Sequence, residues 1–396
     1  MPDAEAARPS LVLLSLASSL SPFGMIVVVP TLAAMAAAFG IDNGEAQYLI
    51  AAYLFGLGVG QPLAGALSDR IGRRPVMLAG FALFTLASLG CLFSPTYPAL
   101  VLMRILQALG ASVGTVGSRA IVRDTHDALG AVRALAWIGA AMGVAPVVGP
   151  AVGGLLGASA GPTSVFGASA VLGFVVTIAL GMHLPETRGT GATTRRQTAS
   201  WLVSYRELLG SRVFMGYTLM YAFTQGCFFA FLAVGAIVFQ EHLGLGQQQF
   251  GLIWSSMGLV YIAGATVGAR LSSGISVSKA LRWAALGAAA AGIALALAAS
   301  ALGVSLAGLM LPLAGLMLTA GITTPLSTAG TVNHRPDIAG TASGLSSSLA
   351  LVTSGSFSII AGQLYDGSFA PVAWMIAASA TLSACAWWMT RGQPVG

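Results

Sequence analysis

Gly65-Ala66-Leu67-Ser68-Asp69-Arg70-Ile71-Gly72-Arg73-Arg74 is the stretch whose reading decides the fold. It is a dense patch of charge between two long apolar runs, residues 48–67 and 75–93. Each run is about long enough to cross the ~30 Å hydrocarbon core of a bilayer as a helix. Three arginines in so short a turn mark a loop on the cytoplasmic side, because short loops rich in Lys and Arg stay inside. The other spans can be counted outward from this loop.

The composition agrees. The chain is 56% hydrophobic and only 8% charged over 396 residues, whereas a soluble domain carries about 25% charged residues. A chain this apolar cannot hide its surface from water by folding into a globule, so lipid must solvate it. The net charge of +6 would suggest nucleic acid in a soluble protein. Here the inside bias of the basic loops accounts for it, and no nucleic-acid partner is expected. Cys91, Cys227 and Cys385 lie in apolar runs, without metal-ligand spacing or a disulfide framework. They read as small packing residues. The first apolar run is too long for a signal-peptide core and is read as a retained span.

Apolar segments run over residues 11–38, 48–67, 75–93, 100–121, 134–156, 164–184, 214–239, 250–267, 283–302, 305–326, 339–364 and 371–389. Alternating these twelve from a cytoplasmic N-terminus places Arg8, Arg70, Arg73, Arg74, Arg119, Arg123, Arg133, Arg188, Arg195, Arg196, Arg206, Arg212, Arg270, Lys279, Arg282, Arg335 and Arg391 inside. No Lys or Arg falls in the expected outer loops, near Asp42, Pro95, Ser159, Glu241, Gly303 and Asp366. The partition supports both the count and the orientation. Residues 185–212 form the one long polar stretch and read as a cytoplasmic linker. It separates two bundles of six spans, residues 1–184 and 213–396. The expected fold is therefore an all-α polytopic membrane protein with twelve transmembrane helices in two six-helix halves. That is the architecture of a rocking transporter, here in a bacterial inner membrane with both termini cytoplasmic.

Several stretches now carry a resemblance to the major facilitator superfamily. The opening stretch is similar to the family's loop motif between spans 2 and 3, matched at Gly65, Leu67, Asp69, Arg70, Gly72, Arg73 and Arg74. Arg104, Gln107 and Gly110 resemble its span 4 pattern. Gly139, Gly143, Pro146, Gly149, Pro150, Gly153 and Gly154 resemble the Gly/Pro-rich span 5 motif associated with antiporters. Leu184-Pro185-Glu186-Thr187 is similar to a signature after span 6. Ile121-Val122-Arg123-Asp124 and Ala339-Gly340-Thr341-Ala342-Ser343 resemble the Bcr/CflA-type drug-resistance branch. The resemblance implies that Asp69 locks the outward-facing state against the start of span 11, near residues 337–340, with Gly65 letting the two helices approach. A solvated loop charge that only sets topology is the plainer alternative.

Arg104 is the single charge placed within the membrane interior, where a charge costs ~2.5–3.5 kcal/mol and by default marks function. Gln107 shares its face, and that face should point at a central cavity. The alternatives are that Arg104 snorkels outward or binds backbone carbonyls of span 1. Pro146 and Pro150, with Gly143 and Gly149, read as a bend that seals span 5 against span 8 or span 1. Tyr217, Tyr221 and Gln225 stand at four-residue spacing on span 7 and read as a cavity stripe. The alternative is helix packing or an aromatic belt. Tyr53, Trp254 and Tyr261 are weaker candidates.

No acid lies inside a span, so the proton carrier is not visible. A rim acid such as Asp42 or Glu45 is one option; Arg104 acting on a substrate or water-borne proton is another; transport without proton coupling is the third. A lone arginine in the cavity favours a substrate with an anionic or electron-rich group. No Walker-type phosphate loop or metal cluster appears, so no cofactor is expected and an ion gradient, of protons, drives the cycle. The reading is a monomeric secondary active transporter that exports small amphipathic molecules. The rivals are an importer or facilitator of a metabolite or an iron-chelating ligand, a membrane-embedded enzyme, and a non-transporting receptor.

Overall fold

The computed structural model describes residues 9–187, 201–274, 276–301, 305–335 and 338–390. Asp337, Gly303 and the arginines at 8, 188, 195, 196 and 391 lie outside them. Among the described residues, twelve helical segments are long and apolar enough to span a bilayer. They are span 1 (Leu11–Phe39), span 2 (Gly44–Ile71), span 3 (Arg73–Leu92), span 4 (Tyr97–Thr125), span 5 (Arg133–Ala160) and span 6 (Ser164–His183). The second half holds span 7 (Arg212–Leu243), span 8 (Gln247–Leu271), span 9 (Val277–Ala301), span 10 (Leu306–His334), span 11 (Ala339–Leu364) and span 12 (Ala370–Thr390). Among the described residues there is no strand.

Local chemistry sets the ends. Ser211 and Ser305 accept hydrogen bonds from Phe214 N and Gly308 N at the starts of spans 7 and 10, satisfying donors that a helix start leaves orphaned. Gly40 and Gly244 close spans 1 and 7 in the left-handed conformation that only glycine adopts cheaply. Span 1 is not one α-helix. It stops at Ile26 and passes through a 3-10 turn, Val29–Thr31, around Pro30. Span 5 breaks between Met142 and Ala145, with Pro146 in the first turn of its second helix, where its missing N–H is no loss.

Helices in lipid gain little from burying apolar surface and are held by close contact. Glycine supplies that contact. A Cβ on Gly114 of span 4 would stand 2.2 Å from the Ala17 carbonyl of span 1, and one on Gly110 2.5 Å from Phe84 N of span 3. In the second half, Cβ atoms on Gly264 and Gly321 would stand 2.1 Å and 2.2 Å from carbonyls across the contact of spans 8 and 10. Large apolar side chains such as Phe93, Met182 and Leu311 face outward, as lipid-solvated residues should.

Part of the 185–212 stretch is helical. Trp201–Gly210 is a helix. Leu208 buries against Phe214, Ala342 and Leu345 while Arg206 and Glu207 stay exposed, so a short amphipathic face overrides the polar composition around it.

Candidate functional site

Two faces of the molecule differ in chemistry. The ends of spans 2, 4, 6 and 10 and the starts of spans 3, 5, 7, 9 and 11 make the basic face. Here Arg73 is a hub. Its Nη1 donates to Ser68 Oγ at 2.8 Å and Asp69 Oδ1 at 2.5 Å, and its Nε to Asp124 Oδ2 at 2.9 Å. Glu186 accepts from the backbone N–H groups of Arg73 and Arg74 at 3.0 and 3.1 Å, a carboxylate at the positive end of span 3. Gly72 sits beneath that carboxylate at φ 111°, and a Cβ there would stand 2.6 Å from Glu186 Oε2. Arg74 Nη2 donates to the Gly181 carbonyl at 2.7 Å, and Arg70 is exposed in the last turn of span 2. The stretch from Gly65 to Arg74 thus braces spans 2, 3, 4 and 6 of one half.

Asp69 does not reach span 11 in this state. Its side chain is 65% exposed and its ion pair is with Arg73, an i,i+4 neighbour. Gly65 has one atom within 4 Å of an added Cβ, Val116 Cγ1 of span 4 at 3.6 Å. Arg73, four residues on, holds the carboxylate within its own half.

Arg104 is fully buried, and its Nη2 has no hydrogen-bond partner there. Nη1 donates to the Gly24 carbonyl at 2.9 Å and Gln107 Oε1 at 2.6 Å, and Nε to the Leu49 carbonyl at 3.3 Å. Gln107 passes the chain to Ser88 Oγ at 2.7 Å. The guanidinium lies 4.2 Å from the Tyr53 ring centroid, and Tyr53 is itself buried, donating to the Ser21 carbonyl at 3.0 Å. This network sits inside the first half, where spans 1, 2, 3 and 4 meet. It matches the arrangement with span 1 carbonyls that the sequence left open as an alternative.

The span 7 stripe divides. Four residues carry a helix about 40° past a full turn, so Tyr217, Tyr221 and Gln225 fan out. Tyr217 turns into the second half, against Gly330 and a cluster with Met220, Leu281 and Trp387. Tyr221 and Gln225 are half-buried. Tyr221 faces Arg119 of span 4 and Tyr261 of span 8. Arg119, counted among the inside charges at the end of the 100–121 segment, lies in the long span 4 helix and is half-buried, with Tyr221 of the other half acting on it.

The opposite face is sealed. Span 5 packs on span 1 and span 8 together. A Cβ on Gly149 would touch Ile26, and one on Gly153 would stand 2.0 Å from the Val27 carbonyl. Across the halves, a Cβ on Gly251 would stand 2.3 Å from the Pro150 carbonyl, and one on Gly258 3.0 Å from the Pro146 carbonyl. Gly143 lies at the break of span 5 and meets only its own helix. Gly44 of span 2 approaches Gly362 of span 11, and Gln240 Nε2 donates to the Pro30 carbonyl at 3.0 Å. Beneath this seal Phe231 and Phe250 stack on Trp254. At its rim Tyr365 bonds His242 and Glu241. Burial, then the Glu241 carboxylate, push its phenol up to about 12. Asp42 caps a short helix by accepting from Glu45 N at 2.7 Å, and Tyr97 donates to the Glu45 carbonyl. Both acids therefore sit at the rim.

The family model described as Major Facilitator Superfamily matches residues 14–359. The chain belongs to the Major Facilitator Superfamily. It is 31% identical over 276 residues to the uncharacterized MFS-type transporter YdgK of Bacillus subtilis (strain 168), covering 69% of each chain. It is 27% identical over 355 residues to Multidrug resistance protein D of Escherichia coli (strain K12), covering 89% of this chain and 88% of the other. Its fold is similar to the crystal structure of a D-xylose-proton symporter, with a TM-score of 0.78 at 16% identity over 97% of this chain and 99% of that one.

In a major facilitator fold, three residues matter more here than their sequence context showed. Glu186 caps span 3, Asp124 holds Arg73, and Arg119 stands between the halves. Glu186 and Asp124 stood inside motifs, without partners to assign. For Arg119 the available signal was its spacing of four from Arg123, which puts both on one helical stripe.

Proposed function

We propose that this protein is a secondary active exporter. It moves small amphipathic, drug-like molecules by alternating access in exchange for protons, as a monomer in the bacterial inner membrane. The basic face is cytoplasmic by the positive-inside rule, which puts both termini inside and makes the sealed face the outer one. The observation that carries the reading is this asymmetry. Backbone-to-backbone contact closes one face between spans 5 and 8 and between spans 2 and 11, while on the other Asp69 at the end of span 2 is exposed and pairs with Arg73 of its own half. A carrier waiting for cargo from the cytoplasm has this shape. Similarity to Multidrug resistance protein D supports drug-like cargo and the direction. The gradient drives the cycle without a cofactor, and the protein acts as a carrier and not as an enzyme.

The test is transport in reconstituted vesicles. A panel of neutral and charged amphipathic compounds is followed with and without an imposed proton gradient. Gradient-dependent uphill movement of at least one compound is expected. Movement that only equilibrates, with or without the gradient, overturns the exchange.

A further inference from the structure

We infer that Arg119, with Tyr221, anchors an anionic or strongly electron-rich group on the transported molecule, so that this carrier favours amphipathic monoanions over organic cations. The inference rests on the transport reading above and names the cargo class for the space between the halves.

Arg119 lies six residues before the end of span 4 at Thr125, about 9 Å inside the helix end at 1.5 Å per residue. It is half-buried, and the titratable groups that act on it are the Tyr221 phenol from the other half and the Arg123 guanidinium one turn on. Among the described residues no carboxylate does so. The described acids of the basic face, Asp337 lying outside the described residues, are committed elsewhere. Asp69 and Asp124 bond Arg73, Asp127 caps Gly130, Glu186 holds backbone N–H groups, and Glu207 pairs with Arg335. A charge held part-way into a membrane protein without a counter-ion is costly and marks a pathway. Its missing partner is supplied when cargo arrives.

The chemistry fits. The guanidinium fork matches a carboxylate, sulfonate or phosphate with two parallel hydrogen bonds, and the Tyr221 hydroxyl can donate a third from the opposite half. Contact to both halves is what a cargo needs if its binding is to bias their rocking. Arg123 sits on the same stripe, its Nη1 3.0 Å from where a Cβ on Gly340 of span 11 would lie. Two cations therefore face the entrance and repel cationic compounds. Arg104 sits apart from this pair, among the carbonyls of Gly24 and Leu49 and Gln107 inside the first half.

The experiment uses the full-length protein in vesicles and three probes of one skeleton: naphthalene-1-sulfonate, a neutral naphthalene sulfonamide and naphthyl-trimethylammonium. The wild type should carry the sulfonate faster than the ammonium compound. Arg119→Gln should lower the sulfonate-to-sulfonamide flux ratio by about tenfold or more, the size of one charge-assisted hydrogen bond. Arg119→Lys should restore part of it. Arg133→Gln, which removes an exposed arginine of the same face, should keep the wild-type ratio. An unchanged ratio in Arg119→Gln, or an equal fall in Arg133→Gln, overturns the inference. A wild type that moves the ammonium or neutral probe and not the sulfonate overturns it while leaving the transport reading standing. A wild type that moves none of the three overturns both.

Discussion

Arg104 Nη1 donates to the Gly24 carbonyl across 2.9 Å and ties span 4 to span 1 in the middle of the first half. The bond exists because the α-helix of span 1 stops at Ile26, and the last carbonyls of a helix need donors from outside it. A guanidinium with several N–H groups supplies them, and the Tyr53 ring covers its face.

Arg104 is therefore expected to act on stability first. Arg104→Met leaves the Gly24 carbonyl and Gln107 buried without their donor. Leaving such a buried acceptor without its donor costs about 1–3 kcal/mol. The melting temperature of the purified protein should fall markedly, with transport lost in proportion. Arg104→Lys, which keeps charge but not the fork, should fall between the two. An unchanged melting curve with abolished transport would place Arg104 in the cargo path instead.

The seal of the outer face makes a second expectation. Gly251→Val puts a branched side chain where the Pro150 carbonyl already leaves 2.3 Å for a single Cβ. Spans 5 and 8 cannot then close, and the carrier should be held open to the outside, with transport reduced about tenfold or more. In a background without Cys91, Cys227 and Cys385, a cysteine at the half-buried Ser255 should react faster with a water-soluble maleimide added outside. Equal labelling rates would show that the contact is not part of the gate.

Gln240 makes a smaller version of the same test. Its Nε2 donates to Pro30 across the halves at 3.0 Å, and a net hydrogen bond contributes about 1 kcal/mol. Gln240→Ala should shift the balance toward outer opening about fivefold, read from the same Ser255 labelling. A shift far larger or absent would mean the bond is not made in the sealed state.

Glu186 and Gly72 belong to the brace. Glu186→Gln weakens two backbone hydrogen bonds at the start of span 3, and Gly72→Ala adds both a left-handed φ and a collision with Glu186. The φ strain alone is worth about 1–2 kcal/mol. Both variants should melt earlier, and both should keep the wild-type preference among the three naphthalene probes. A changed preference would connect the brace to cargo choice.

The pattern of charge carried most of what the sequence revealed. Apolar runs of membrane length and the placement of Arg70, Arg73 and Arg74 were enough for twelve spans, because bilayer thickness and loop charge are local properties. The site was less legible. A buried arginine and a cavity arginine have the same sequence signature, a charge in an apolar helix, and only packing distinguishes Arg104 from Arg119. The span 7 stripe failed at Tyr217 because four-residue spacing drifts around the helix. Asp69 was read as a latch against span 11, and its partner here is Arg73. The amphipathic helix at Trp201–Gly210 was hidden by the polar run before it.

The central claim is that the two faces open in alternation. It is tested most directly by paired distance measurements in a cysteine-free background. One spin-label pair spans the sealed face at the exposed Asp42 and Asp366. The other spans the basic face at the exposed Ile71 and Asn333. Changing pH and adding a transported compound should lengthen the first distance while shortening the second. Distances that stay fixed, or that grow and shrink together, would contradict the account.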